Sequence, residues 1–137
     1  MISRGLRNNN PGNIRRSKTR YKGEVRPSRD AEFKEFCSMA YGYRAIFTLL
    51  HSYNRRYALT TIRAMLNRYA PPTENLTEGY IRFVAERTGI DANTSIDTLN
   101  ERDMIAIVRA MSEVENGTPA TLSDVEQGWR LFVEDHP

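Results

Sequence analysis

The sequence predicts a mostly α-helical fold with a loop-rich N-terminal lobe and one short β-hairpin. From Met39 onward, apolar residues recur at three- and four-residue steps, which is the spacing of one helix face. Residues 1–38 lack this spacing, and their aromatic residues are separated by charged and turn-forming residues. A length of 137 residues suits one hydrophobic core. We therefore expect one domain over residues 1–137, with 1–38 as the lobe and 39–137 as a helical bundle.

The periodic segments divide into five helices. Their apolar stripes lie within residues 43–53, 59–69, 80–85, 104–111 and 125–132. Prolines follow the second stripe, and glycines follow the third and fourth, so each of these helices has a clear stop. Residues 98–101 and 123–126 each fit a capping box, which predicts the starts of the last two helices. The fourth helix is apolar on most of its faces and is predicted to be the most buried.

The cysteine and histidine content argues against a metal site or a bound cofactor. Cys37 is the only cysteine, so no intrachain disulfide is possible. Because it lies between Phe36 and Met39, we expect a small buried side chain rather than a nucleophile. The two histidines, His51 and His136, are too few to form a convincing ligand set.

Charge is distributed unevenly along the chain. Residues 1–29 carry nine Lys or Arg and one acid, a net charge of +8, whereas residues 30–137 carry eleven bases and sixteen acids, a net charge of −5. A basic lobe can attract nucleic acid or an anionic polymer such as cell wall, or can simply keep the protein soluble. No apolar stretch approaches the roughly 20 residues of a membrane span. The N-terminus lacks the apolar core of a signal peptide.

Residues 8–15, which we call the Asn loop, form the most informative motif, NNNPGNIR. Proline, glycine and asparagine favour a tight turn. Side-chain amides both donate and accept hydrogen bonds, which suits a neutral ligand rich in hydroxyls and amides, such as an N-acetylated sugar. Asn9, Asn10 and Asn13 are therefore candidate substrate-binding residues. The alternative is a turn with a purely structural role.

Glu115 is the candidate general acid. It lies at the C-terminal end of the fourth predicted helix, where the helix dipole disfavours a negative charge. A partly buried carboxylate at such a position has a raised pKa, which is what the acid that cleaves a glycosidic bond needs. The alternative is a solvated glutamate beside a glycine that ends the helix.

Two further segments contain candidate residues. The prolines at residues 71–72 stiffen a loop that holds Glu74 and Asn75 at the start of the third helix. Glu74 would be stabilised there as a carboxylate, which suits a charge stabiliser or a base, or would simply cap the helix. Tyr41 begins the first helix, where its ring can stack on a sugar or can belong to the core.

Four motifs together resemble a family of small phage and prophage proteins described as virion structural proteins. The motifs are RGLRNNNPGNIR at 4–15, YGYRA at 41–45, APPTEN at 70–75 and ENG at 115–117. Members of that family are regarded as lysozyme-like. The resemblance covers nearly the whole chain and implies a lysozyme-like helical domain. It also implies peptidoglycan or a related N-acetylated glycan as partner, together with other virion proteins, and a location in the virion or, before release, in the bacterial cytoplasm.

The chain is also similar, more distantly, to bacterial glucosaminidases and related lytic enzymes. In those enzymes a helix ends in a catalytic glutamate, a small residue and a glycine, and a loop with paired asparagines follows. Here the Glu-Asn-Gly segment comes after the loop, which implies a circular permutation in which Glu115 matches the catalytic glutamate and Asn116 replaces the small residue. The other matching positions are Asn9, Asn10, Gly12, Ile14, Tyr21, Gly23, Phe33, Phe36 and Tyr53.

The leading hypothesis is a phage-derived peptidoglycan glycosidase, either a hydrolase or a lytic transglycosylase. Glu115 would protonate the leaving oxygen, Glu74 would stabilise positive charge, and Asn75 would join the asparagines that hold the sugar. The sequence lacks a strong second catalytic carboxylate, which favours help from the substrate's own N-acetyl group. The alternative is a non-catalytic virion structural or glycan-binding protein that retains the fold. Nucleic-acid binding is not expected, because no reader motif accompanies the basic lobe.

Overall fold

The computed structural model describes residues 2–70 and 76–136, which form six helices and one two-stranded hairpin. The prediction of a mostly α-helical fold with one short β-hairpin is confirmed. A first helix of four residues was not predicted, because one turn is too short to show an apolar period. The elements are α1 (Arg4–Arg7), β1 (Glu24–Val25), β2 (Glu35–Phe36), α2 (Met39–Tyr57), α3 (Ile62–Tyr69), α4 (Thr77–Thr88), α5 (Glu101–Asn116) and α6 (Leu122–Glu134).

The central packing is between α2 and α6. The Phe47 ring lies edge-on to Trp129, with centroids 5.1 Å apart, and its centroid is 6.1 Å from that of Phe132. α2 has eight buried residues and α5 has six, so the prediction that the helix ending at Glu115 is the most buried is wrong. The reason is that α2 packs along α6 in the most extensive helix contact of the described residues, and it also contacts α3, α5 and β2.

The starts of α5 and α6 differ from the predicted capping boxes. The side chain of Asn100 caps α5 by accepting a hydrogen bond from the Asp103 N–H at 2.9 Å. Thr98 is instead bonded to His51, with 2.7 Å between Oγ1 and Nδ1. α6 begins at Leu122 without a side-chain capping bond. The first capping-box prediction was wrong because asparagine caps as well as threonine and because Thr98 has a tertiary partner. The second was wrong because α6 already begins at Leu122, before the predicted box at 123–126.

Asp30 fastens the N-terminal lobe. Its buried carboxylate accepts hydrogen bonds from the Arg4 guanidinium at 2.6 and 2.7 Å and from the Asn8 amide at 3.0 Å. It also accepts from the backbone N–H groups of Glu32 and Phe33. These donors, Arg4 first, hold the pKa of Asp30 well below its usual range. The loop between β1 and β2 is thereby tied to α1.

Lys34 performs a similar task for residues 17–21. Its side chain is 1% exposed, and its Nζ donates to the Thr19 carbonyl at 2.7 Å and to the Glu24 carboxylate at 3.1 Å. The Tyr21 ring centroid lies 5.6 Å from the same nitrogen. A buried ammonium needs such partners because leaving it unpaired away from water is costly. Lys34 therefore fixes the loop at residues 17–21 to the N-terminal lobe.

Cys37 is exposed, so the prediction that it is buried was wrong. Its backbone is the part held by the fold, because its N–H donates to the Gly23 carbonyl at 2.8 Å. None of the helices in residues 2–70 and 76–136 has the length and apolar character to cross a membrane. Within the same ranges, no three His, Cys, Asp or Glu side chains are grouped to hold a metal ion.

Candidate functional site

The Asn loop is folded around Asn10, whose side chain is fully buried. The Asn10 amide donates to the carbonyls of Ile14 at 3.0 Å and Lys34 at 2.9 Å, and its Oδ1 accepts from the Ile14 N–H at 3.0 Å. Asn9 and Asn13 have φ angles of 52° and 49°, in the left-handed region that asparagine tolerates better than most residues. The unusual composition of this loop therefore first serves its own backbone geometry.

The Asn loop meets the C-terminal end of α5. The Asn13 amide donates to Oε1 of Glu115 at 2.9 Å and to the Glu115 carbonyl at 3.3 Å, across 102 residues of sequence. The next residue, Asn116, donates to the Pro11 carbonyl at 2.9 Å and accepts from the Ser3 hydroxyl at 2.7 Å. The sequence hypothesis requires Glu115 and the Asn loop to line one groove, since one supplies the acid and the other holds the sugar, and the structure brings them into contact.

Two tyrosine hydroxyls lie close enough to the Glu115 carboxylate to be affected by its charge. The Tyr69 hydroxyl donates to the Gly12 carbonyl, and its pKa is raised well above the usual value, first by burial and then by Glu115. Burial and Glu115 raise the pKa of Tyr80 in the same way. The Tyr80 hydroxyl is buried and makes no hydrogen bond of good geometry among the described residues. Both phenols therefore stay protonated and present neutral O–H groups near this carboxylate.

Asn13 and Glu115 line a cleft of about 1070 Å³. Its walls come from the Asn loop, residues 17–22, the side of α2 from Arg44 to Tyr57, and the C-terminal ends of α3 and α5. Glu115 is the one acidic side chain among the described residues that line it. Seven cationic side chains also line the cleft: Arg15, Arg20, Lys22, Arg44, Arg55, Arg56 and Arg68.

Four tyrosines give the cleft an aromatic surface. Arg68 lies over the Tyr57 ring, with its guanidinium carbon 3.8 Å from the centroid, and 5.3 Å from the centroid of Tyr53. Burial, followed by the nearby Tyr53, raises the pKa of Tyr21 to about 12. Tyr69 completes the set. Neutral phenol groups of this kind combine a flat apolar face with a hydrogen-bonding end, which suits a sugar ring.

The sequence-based candidates in the Asn loop occupy two different environments. Asn13 lines the cleft beside Glu115. Asn9 and Asn10 are not among its lining residues, and both use their amides within the lobe, Asn9 by donating to the Phe36 carbonyl at 3.1 Å. The structure thus brings one of the three asparagines to the carboxylate.

The remaining candidates do not join this group in the part of the chain that is described. Tyr41 packs directly against Gly23, where an added Cβ would meet its ring at 2.3 Å, and it does not line the cleft. Glu74 and Asn75 lie outside the described residues. Sequence reasoning assigned Tyr53 and Tyr69 to apolar helix faces and proposed neither as a site residue, although Tyr53 is one of the positions that match the lytic enzymes. Their signal was the hydroxyl itself, because tyrosine in an apolar stripe needs a partner or water for that group.

His51 lies in the cleft in a partly buried environment. Its Nδ1 faces the Thr98 hydroxyl, and its ring centroid is 4.9 Å from that of His136. Burial lowers the pKa of His51 from 6.5, His136 and Arg55 lower it further, and Asp97 opposes the change. The folded protein therefore favours the neutral imidazole.

We expect folding stability to fall as the pH is lowered from about 7 to about 5. The unfolded chain takes up the His51 proton at a higher pH than the folded chain, so stability is retained above pH 6.5 and is lost as the pH falls toward the folded pKa. One proton gives a slope of at most about 1.4 kcal/mol per pH unit. Urea denaturation at several pH values measures this, and His51→Gln should flatten the profile. Stability that increases on acidification over this range would contradict the assignment.

Comparison with known proteins adds one relative. No protein-family model matches the chain. The chain is similar to Protein P5 of Pseudoalteromonas phage PM2, with 39% identity over 131 residues, which covers 93% of this chain and 80% of that protein. The similarity therefore extends over most of the chain rather than over one motif.

Proposed function

Because this chain belongs to the family of the phage protein P5, we propose that it is a phage-encoded glycosidase that cleaves the N-acetylated glycan strands of peptidoglycan. The observation that carries the proposal is the bond between Asn13 and Glu115 at the wall of a large cleft. Glu115 is the one acidic group on the described wall, and it is surrounded by neutral amide and phenol groups. Glycosidic cleavage requires a proton donor next to groups that bind the hydroxyls and acetamides of the sugar.

Glu115 is the proposed general acid. The Asn13 amide holds Oε1 and so fixes the orientation of the carboxyl group at the cleft. Protonation of the leaving oxygen by Glu115 breaks the glycosidic bond and leaves positive charge on the sugar. The substrate's own N-acetyl oxygen can stabilise this charge, and Glu74 retains its proposed role as a second stabiliser. Attack by water then gives hydrolysis, whereas attack by a hydroxyl of the same sugar gives lytic transglycosylation. In both cases the attacking group gives its proton to the Glu115 carboxylate, which restores the acid.

Sugar binding is assigned to the groups that line the cleft. Asn13 presents an amide, and the exposed ring of Tyr57 provides a flat surface for stacking on the face that Arg68 does not cover. Asn9 and Asn10 contribute indirectly. Their amides donate to backbone carbonyls and so hold the Asn loop in the shape that presents Asn13. The neutral part of the site therefore comes from both the Asn loop and α2.

The alternative function is a non-catalytic virion structural or glycan-binding protein. In that case the bond between Asn13 and Glu115 serves only to attach α5 to the Asn loop. The protein would bind glycan or another capsid protein, and Glu115 would transfer no proton. The two functions therefore differ in turnover.

Incubation of the protein with purified, insoluble peptidoglycan tests the proposal. We expect soluble fragments to accumulate with time, as measured by loss of turbidity and by chromatography of the supernatant. New reducing ends would identify a hydrolase, and an internal ether on the terminal sugar would identify a lytic transglycosylase. If the wild-type protein sediments with the peptidoglycan and releases nothing, the catalytic proposal is wrong and the binding function remains.

A further inference from the structure

One side of α2 brings four polar residues to the cleft. Arg44, Thr48, His51 and Arg55 are spaced by four, three and four residues, so they lie on one face of the helix. All four line the cleft. A helix face that only completes a hydrophobic core would not carry two guanidinium groups, a hydroxyl and an imidazole in succession. We call these four residues the polar stripe.

The polar stripe contains donors without partners. Arg44 is 6% exposed and donates to Asp135 through Nη2 at 2.6 Å, yet its Nε–H has no hydrogen-bond partner among the described residues. The hydroxyl of Thr48 is also buried without one. Buried donors are rarely left unpaired, so each calls for an explanation. The Asp135 carboxylate pairs with Arg44 and also accepts from Lys22 at 2.8 Å, so two of the cations at the cleft already bind a carboxylate.

Unlike Arg44, three cations at the cleft have no counter-charge in the described part of the chain, and one of them, Arg55, belongs to the polar stripe. Arg20, Arg55 and Arg56 make no ion pair or hydrogen bond with the described part of the chain. The positive charge of Arg55 lowers the pKa of His51, and that of Arg56 opposes the rise in the pKa of Tyr21. The two charges are therefore directed to two sides of the last turns of α2. The helix dipole favours cations at this helix end, but it does not account for Arg20, which comes from a loop. These unpaired guanidinium groups favour the binding of an anionic ligand in the cleft.

We propose that the polar stripe, together with Arg20 and Arg56, forms a subsite for carboxylate groups carried on the peptide branches of the glycan strand. The identity of the strand rests on the proposed function, whereas the preference for carboxylates rests on the charges of the cleft. Guanidinium groups pair well with carboxylates. A nucleic acid fits less well, because it would place phosphates along the whole cleft, including beside Glu115. A glycan offers neutral sugars to Asn13 and anionic branches to the arginines.

The test measures binding instead of turnover. The Glu115→Gln protein is titrated with soluble glycan strands that bear free peptide carboxyl groups, and with the same strands after conversion of those groups to methylamides. We expect the carboxylate form to bind about tenfold more tightly at low salt. Adding Arg55→Gln and Arg56→Gln should remove most of that difference. The matched control adds Arg109→Gln and Arg130→Gln, two exposed arginines that do not line the cleft, and should preserve it.

Three results would overturn the inference. They are equal affinity for the two glycan forms, equal loss in the control protein, and binding of a single-stranded oligonucleotide that exceeds glycan binding and needs Arg55 and Arg56. The last result would assign the cleft to nucleic acid. Failure here is separable from failure of the proposed function. Fragment release without carboxylate preference removes only the subsite, and carboxylate preference without fragment release removes only catalysis.

Discussion

Glu115→Gln is expected to lower the rate of fragment release from peptidoglycan by at least about 100-fold, because a positioned general acid contributes on the order of 10²–10⁴ in rate. The amide retains the shape of the side chain, and its oxygen can still accept the hydrogen bond from Asn13. It has no titratable proton to give to the leaving oxygen. The measurement is the initial rate of turbidity loss at equal protein concentration.

The thermal midpoint of Glu115→Gln should stay close to that of the wild type. Loss of an anion from the C-terminal end of α5 removes an unfavourable interaction with the helix dipole worth about 0.3–1 kcal/mol, so a slight rise is expected. Glu113→Gln is the matched control. Glu113 lies on the same helix, forms an ion pair with Arg87 and does not line the cleft, so this variant should keep its activity. Unchanged turnover in a folded Glu115→Gln protein would remove Glu115 from the mechanism and make Glu74 the next residue to test.

The helices were predictable because burial imposes a period on the sequence. The buried residues of α2 include Tyr43, Ile46, Phe47, Leu50 and Tyr53, which are the stripe identified from spacing alone. The start of α5 was less predictable, since Thr98 and Asn100 are both good caps and the choice depends on His51, a residue distant in sequence. Local rules identify the candidates for a cap, and tertiary contacts decide between them.

The candidate site was predictable only in part for a related reason. That Glu115 and the Asn loop line one groove was expected from the two motifs, because neither composition suits an isolated surface turn, but the bond between Asn13 and Glu115 was not. The arginines of the cleft were not expected, because Arg55 and Arg56 look like any solvated pair at a helix end. Their significance depends on which elements face them, here residues 17–22, and Lys34 holds that segment from inside the lobe. Sequence spacing within one helix contains no information about such a neighbour.

The position of the Asn loop depends on how closely it approaches α2, and Gly42 is the point of contact. A Cβ at Gly42 would lie 2.1 Å from the Asn9 carbonyl oxygen and 2.6 Å from Cδ of Pro11. Neither atom belongs to a flexible side chain that can rotate away. An added methyl group must therefore displace the loop or the helix, and with the loop it displaces Asn13 from Glu115.

Gly42→Ala is therefore expected to destabilise the fold by about 3 kcal/mol, the upper part of the usual cost of overpacking, and to lower the melting temperature by about 10 °C. Activity should fall with it, because the bond that orients Glu115 depends on the same loop. Gly79→Ala is the matched control, since Gly79 lies in α4 with no atom within 4 Å of its added Cβ. Alanine is the better helix former by about 0.5–1 kcal/mol, so this variant should gain stability. The same chemical change thus has opposite expected signs at two helical glycines. A Gly42→Ala protein as stable as the wild type would mean that the Asn loop does not pack on α2 in this way.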